Sequence, residues 1–157
     1  MTSTWNIYQE RLLPASDSGR LTPGAHLITP RRRYVHHGIY AGSGRVVHYA
    51  GLCHSLRPLP VEEVSLEVFT CGQALAQLPG QAARFQPQEV VNRARSRVGE
   101  NAYDLLNNNC EHFCHWCITG QPRSEQVEWL LELSPVLLRR LLGRVRRESP
   151  DHAARAA

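Results

Sequence analysis

The sequence predicts an α+β fold, and three observations carry that prediction. Residues 34–50 read as a β-hairpin, two runs rich in β-branched and aromatic residues joined by Gly42-Ser43-Gly44. Pro87 and Gly99 bracket a helix at about 87–98, with proline at an early helical position and glycine as the stop. Asn108, followed three residues later by Glu111, has the spacing of a capping box and sets the start of another helix near Cys110.

The remaining elements follow in chain order. Residues 1–20 are polar and mixed, without the basic-then-apolar pattern of a secretion signal, and are expected to be a tail. A β region follows over 26–70, with strands expected at 26–29, 34–41, 45–50 and 65–70. A connection rich in Pro, Gly and Gln over 77–88 leads into the 87–98 helix, and the helix bearing Cys110 runs over 109–119, ending at Gly120 with Pro122 beyond. Ser124–Leu133 reads as a helix, and Ser134-Pro135 opens another whose apolar stripe is Leu137, Leu138, Leu141, Leu142 and Val145, with Arg139, Arg140, Arg144, Arg146 and Arg147 supplying charge. The domain reading is therefore a tail over 1–20, a catalytic domain over 21–130, an amphipathic helix over 131–148 and a disordered tail over 149–157.

The cysteine at the start of its helix carries the chemistry. A thiol in a first helical turn sits beside unpaired backbone N–H groups and the positive end of the helix dipole, and both favour the thiolate. The ordinary thiol pKa of about 8.5 then falls toward neutrality when an imidazolium is also close. The same N–H groups suit the oxyanion of a tetrahedral intermediate. Free cysteine is also among the most buried residue types, so spacing alone leaves a structural reading open.

The hairpin adds His36, His37 and His48. A three-residue loop opposes position 41 to 45, which sets His48 diagonally from His36 on one face and turns His37 away. A two-residue loop would put His37 beside His48 instead. His36 is the preferred partner, because a same-face imidazole pair and a helix-capping cysteine form a nucleophile, base and orienter set.

These residues carry a resemblance. His36-His37-Gly38-Ile39-Tyr40, a second histidine at His48, and Asn109-Cys110-Glu111-His112-Phe113 resemble, in this order, the motifs of the lecithin retinol acyltransferase-like family. That family also contains phospholipase/acyltransferases. The likeness continues through Pro23-Gly24, Glu89–Ala94, Gly99–Tyr103, Gly120 and Ser124–Val127, and so spans roughly residues 21–130. It implies a permuted NlpC-type, papain-like fold, an antiparallel sheet packed against the nucleophile helix with the histidines ahead of the cysteine in the chain. It also implies that Cys110 attacks an acyl carbonyl, His36 is the general base, and His48 orients His36 and stabilises its charged form. The product would be a thioester acyl-enzyme, resolved by water, an amine or an alcohol without a cofactor. Two departures stand out: Ala25-His26 where many members have aspartate after Pro-Gly, and His37 where a bulky aromatic is common. Neither removes a catalytic group.

Composition narrows the alternatives. With 42% hydrophobic residues the chain can bury one ordinary core, and no apolar run approaches the roughly 18 residues that span a bilayer. A cytoplasmic protein, with peripheral contact to an anionic membrane through 135–148, is the expected setting. All 18 basic residues are arginine, as expected of a GC-rich, bacterial coding sequence, and the net charge of +4 without a recognition motif does not argue for nucleic acid. Arg31, Arg32 and Arg33 are candidates to receive a phospholipid phosphate, and Tyr40 is a further substrate-binding candidate. Cys110, Cys114 and Cys117 share a helical face, yet with Cys53 and Cys71 isolated the second knuckle of a structural zinc site is missing, so no metal is expected. An odd cysteine count without a secretion signal also argues against a disulfide framework. The competing functions are a cysteine amidohydrolase or peptidase of the wider NlpC-type superfamily and a catalytically silent binding module.

Overall fold

The computed structural model of the chain describes residues 13–14, 21–52, 57–79 and 83–132. The chain divides into two units, 1–124 and 125–157. In the first, β1 (Leu13–Pro14), β2 (His26–Pro30), β3 (Val35–Gly42), β4 (Arg45–Gly51), β5 (Leu59–Ser65) and β6 (Ala76–Gln77) make one antiparallel sheet in the order β1-β6-β2-β3-β4-β5. Its helices are α1 (Leu66–Thr70), α2 (Pro87–Ser96) and α3 (Cys110–Thr119). In the second unit a helix, α4, covers 125–132. The fold class is thus α+β. The amphipathic helix expected at 135–148, the tail at 149–157 and Cys53 lie outside the described residues, as does the 1–20 segment apart from the short strand β1.

The strand expected at 65–70 is not there. Leu59–Ser65 is the strand and Leu66–Thr70 a single helical turn, opened by Ser65, whose hydroxyl accepts the Val68 N–H at 3.2 Å. Pro58 and Pro60 disguise β5 in the sequence, but β5 is an edge strand, where a missing N–H breaks no ladder. Its outer side is closed at Val61, which bonds both Glu100 O and the Gly99 N–H.

The hairpin combines the two turns that the sequence left open. Its tip is a two-residue turn, Ser43-Gly44, with φ of 50° and 70°, the positive values that a primed turn requires. Gly42 pairs with Arg45, and the register then shifts by one between Tyr40 and Gly42, so that Tyr40 pairs with Val46 and Ile39 with Val47. The bulge restores the parity of a three-residue loop.

That parity divides the core. Ile39, Val47 and Tyr49 face a layer containing Val90 and Ala94 of α2 and Cys110, Phe113, Cys114, Cys117 and Ile118 of α3. Tyr40 and Val46 face the opposite way, with Ala25, Leu27 and Phe69 of α1. Because β3 and β4 are covered on both faces, they are buried almost throughout. Among the described residues no helix is long and apolar enough to cross a membrane.

Candidate active site

α3 begins where the sequence places it, but with a different cap. Asn109, not Asn108, is the N-cap: its side-chain oxygen accepts from the N–H of Glu111 at 2.9 Å and of His112 at 3.1 Å. The reciprocal partner is His112 rather than Glu111, with Nδ1 at 3.4 Å from the Asn109 N–H. Asn108 is engaged elsewhere. Its amide donates to Ala102 O at 2.8 Å and Glu100 Oε1 at 3.2 Å, and its oxygen accepts from Arg97 at 3.1 Å. Cys110 is therefore the first residue of the helix, and it is buried.

The loop before Cys110 is held at several points. Asp104 Oδ1 accepts the N–H groups of Leu106 and Asn107, and these donors hold its carboxyl below the usual range. Tyr49 reaches the loop from β4, its hydroxyl accepting the Ala102 N–H at 2.6 Å. The Arg97 guanidinium pairs with Glu100, which holds that carboxyl down, and lies against the rings of Phe113 and Trp116. Behind the cap, buried Ser124 donates to Glu111 at 2.5 Å.

Of the three cysteines on α3, two are chemically quiet. Burial pushes the Cys117 thiol up to about 12 and the Cys114 thiol well above its ordinary value. None of Cys71, Cys110, Cys114 and Cys117 is in a disulfide. Among the described residues, no group of three or more His, Cys, Asp or Glu side chains is disposed to hold a metal ion.

The hairpin brings His36 and His48 together. Nε2 of His36 lies 2.8 Å from Nδ1 of His48, the rings meet edge to face, and both are buried. Phe69 packs on both, with ring centroids 5.3 Å from His36 and 5.6 Å from His48. His37 turns to the other face, where its Nδ1 lies 2.9 Å from Nε2 of His26. The two departures noted in the sequence, at 26 and 37, are therefore partners of each other. The His36 pair packs on Phe69 of α1, whereas Cys110 belongs to the layer packed with Ile39, Val47 and Tyr49.

One residue in contact with this set was not legible in the sequence. Glu62 stands opposite His48 in the β4–β5 register, with Oε1 3.2 Å from His48 Nε2. It could have been found only by pairing β5 with β4, and β5 itself was misplaced.

The candidate binding residues divide. Arg31 donates to Phe69 O at 2.5 Å and to Thr70 O at 3.2 Å, tying the end of α1 to β2. Arg32 and Arg33 are exposed, and Arg32 joins Pro30, Arg31, Cys71 and Gln73 around a cleft of about 350 Å³. The Tyr40 hydroxyl accepts the Gly44 N–H at 3.1 Å, which fastens that side chain to the hairpin tip.

A family model described as lecithin retinol acyltransferase matches residues 19–123. Human lecithin retinol acyltransferase is 27% identical over 143 residues, covering 74% of this chain and 62% of that protein. The rat protein of the same name is 44% identical over 52 residues, covering 33% of this chain and 22% of that protein. Mouse phospholipase A and acyltransferase 3 is 28% identical over 121 residues, covering 67% of this chain and 75% of that protein. The chain thus spans less than two thirds of the lecithin retinol acyltransferases it matches.

Proposed function

The chain belongs to the lecithin retinol acyltransferase family, and on that premise we propose that it is a thiol-dependent acyltransferase or acyl hydrolase acting on a phospholipid or another acyl ester. The observation that carries the reading is the buried His36–His48 hydrogen bond of 2.8 Å in a sheet whose packed helix opens on Cys110. In papain-like sites such a pair is a base and its orienter, and the thiol that starts a helix is the nucleophile.

In this reading the Cys110 Sγ–H gives its proton to His36, and sulfur attacks the acyl carbonyl. The Cys110 N–H is the nearest first-turn donor to the oxyanion that forms. Collapse of the tetrahedral intermediate breaks the ester C–O bond. The leaving alcohol takes the proton from the His36 imidazolium, and the acyl group remains on sulfur as a thioester. Water, an amine or an alcohol then repeats the sequence in reverse, so hydrolase and transferase share one first half-reaction. His48 holds the His36 ring and shares its charge. Exposed Arg32 and Arg33 are the arginines available to a headgroup phosphate, since Arg31 is bound to the carbonyls of α1. The proposed fold is the permuted NlpC-type, papain-like one, and contact with an anionic membrane through 135–148 belongs to the same proposal.

Intact-mass spectrometry after brief incubation with mixed phospholipid vesicles tests it. A hydroxylamine-labile fatty acyl adduct is expected on the native chain and not on Cys110→Ala, whose turnover should fall on the order of 10³-fold or more. Unchanged turnover in Cys110→Ala refutes the mechanism.

A further inference from the structure

We propose that Glu62 is a positioning residue that sets the tautomer of the catalytic base. Its carboxylate holds the His48 proton on Nε2 and so leaves the His36 lone pair on Nδ1. The inference rests on the roles proposed for His36 and His48.

The argument is one of donors and acceptors. An ionised carboxylate only accepts, and a neutral imidazole has one N–H and one lone pair. Glu62 Oε1 lies 3.2 Å from His48 Nε2, and His48 Nδ1 lies 2.8 Å from His36 Nε2. With its proton on Nε2, His48 offers a lone pair at Nδ1. The hydrogen shared by the two rings then belongs to His36 Nε2, and the basic lone pair of His36 is at Nδ1. The opposite arrangement would aim the His48 lone pair at a carboxylate. Glu62 stands off the axis of the N–H bond, so its charge acts more than a linear hydrogen bond does. The His48 side chain is only 3% exposed, which limits the water that would screen that charge.

During attack the thiol proton arrives at His36 Nδ1, and both nitrogens of that ring then carry hydrogen. The positive charge is shared through the His36–His48 bond and met by Glu62 at the end of the row. No electron transfer and no further reactant are involved. Glu62 therefore acts through His48 and never touches substrate.

The neighbouring glutamate supplies a control. Glu63 points the other way, where both its oxygens bond Arg95 at 2.9 and 3.0 Å and one also meets Arg45. Glu62 is 41% exposed on an edge strand, so its replacement spares the core.

The experiment reads the ring nitrogens by ¹⁵N NMR in histidine-labelled full-length chain and measures kcat and KM on a soluble acyl ester. Native protein should show both Nδ1 atoms unprotonated. Glu62→Leu should mix the tautomers and lower kcat about tenfold at unchanged KM, less than a mis-set tautomer costs a fully buried triad. Glu62→Gln keeps an acceptor but removes the charge and should restore only part of the native tautomer balance and activity, falling between the native chain and Glu62→Leu, and Glu63→Gln should alter neither. A proton on His48 Nδ1 in the native chain overturns the proposal, as do unaltered tautomers in Glu62→Leu. If Cys110→Ala leaves turnover intact while the ring nitrogens behave as expected, the tautomer assignment stands and the catalytic roles fall.

Discussion

Two imidazole pairs lie across β3 from one another, and hydrogen-bond geometry does not tell them apart. His36–His48 spans 2.8 Å and His26–His37 spans 2.9 Å, each an Nε2···Nδ1 contact between diagonal positions on neighbouring strands, and all four rings are buried. Surroundings distinguish them. The His36 pair is packed by Phe69 and meets a carboxylate that reaches solvent, whereas the His26 pair faces the side of the sheet on which α3 lies. Adjacent residues of one strand thus meet different surroundings, because successive side chains leave opposite faces.

Substitution at the two neighbours is the strongest test of that contrast. His36→Gln should lower turnover about a hundredfold or more. His37→Gln should change turnover less than about tenfold but cost about 1–3 kcal/mol in denaturant unfolding, because it disturbs the buried His26. Reversed effects on turnover would move the base to the other face.

A pH series extends the contrast to the thiols of α3. The Cys117 thiol is raised by burial from an ordinary 9.0 to about 12. A raised folded value means that its contribution is fully present below pH 9 and is lost as pH rises toward 12, since the unfolded chain releases its proton first. The melting temperature should therefore fall across that alkaline window, and less steeply in Cys117→Ala. Alkylation at neutral pH should mark Cys110 and spare Cys114 and Cys117. Labelling of all three at equal rates would mean that burial does not separate them.

The smallest expected effect is at the cap. Asn109→Ala should cost about 1 kcal/mol and slow Cys110 alkylation, by removing the acceptor that orders the first turn. An unchanged alkylation rate would separate the cap from the reactivity of the thiol.

Part of this contrast was visible in the sequence, which set His36 with His48 and turned His37 away but did not pair His37 with His26. The hairpin, α2 and α3 were legible because proline, glycine and asparagine act locally and their positions survive packing. The diagonal placement of His36 and His48 was legible only as one of two parities, since a bulge at Ala41 leaves no mark of its own in composition. β5 was hidden by Pro58 and Pro60, and Glu62 with it, because an edge strand tolerates residues that a propensity reading penalises. The cap was placed one residue early because Asn108 and Asn109 are equivalent as caps until the Arg97–Glu100 pair claims the first of them.

The bulge between Tyr40 and Gly42 also constrains how this hairpin can change length over evolution. Loss of the extra residue, Ala41, would leave Gly42 paired with Arg45 and Tyr40 with Val46 in a regular two-residue hairpin, so the bulge would vanish while His48 stayed on the face of His36. The His26–His37 pair, set by the β2–β3 register, would not be touched. Surviving variants of the tip should therefore lose the bulge when they differ from this chain by one residue and keep it when they differ by two, with the four histidines on their present faces in both cases.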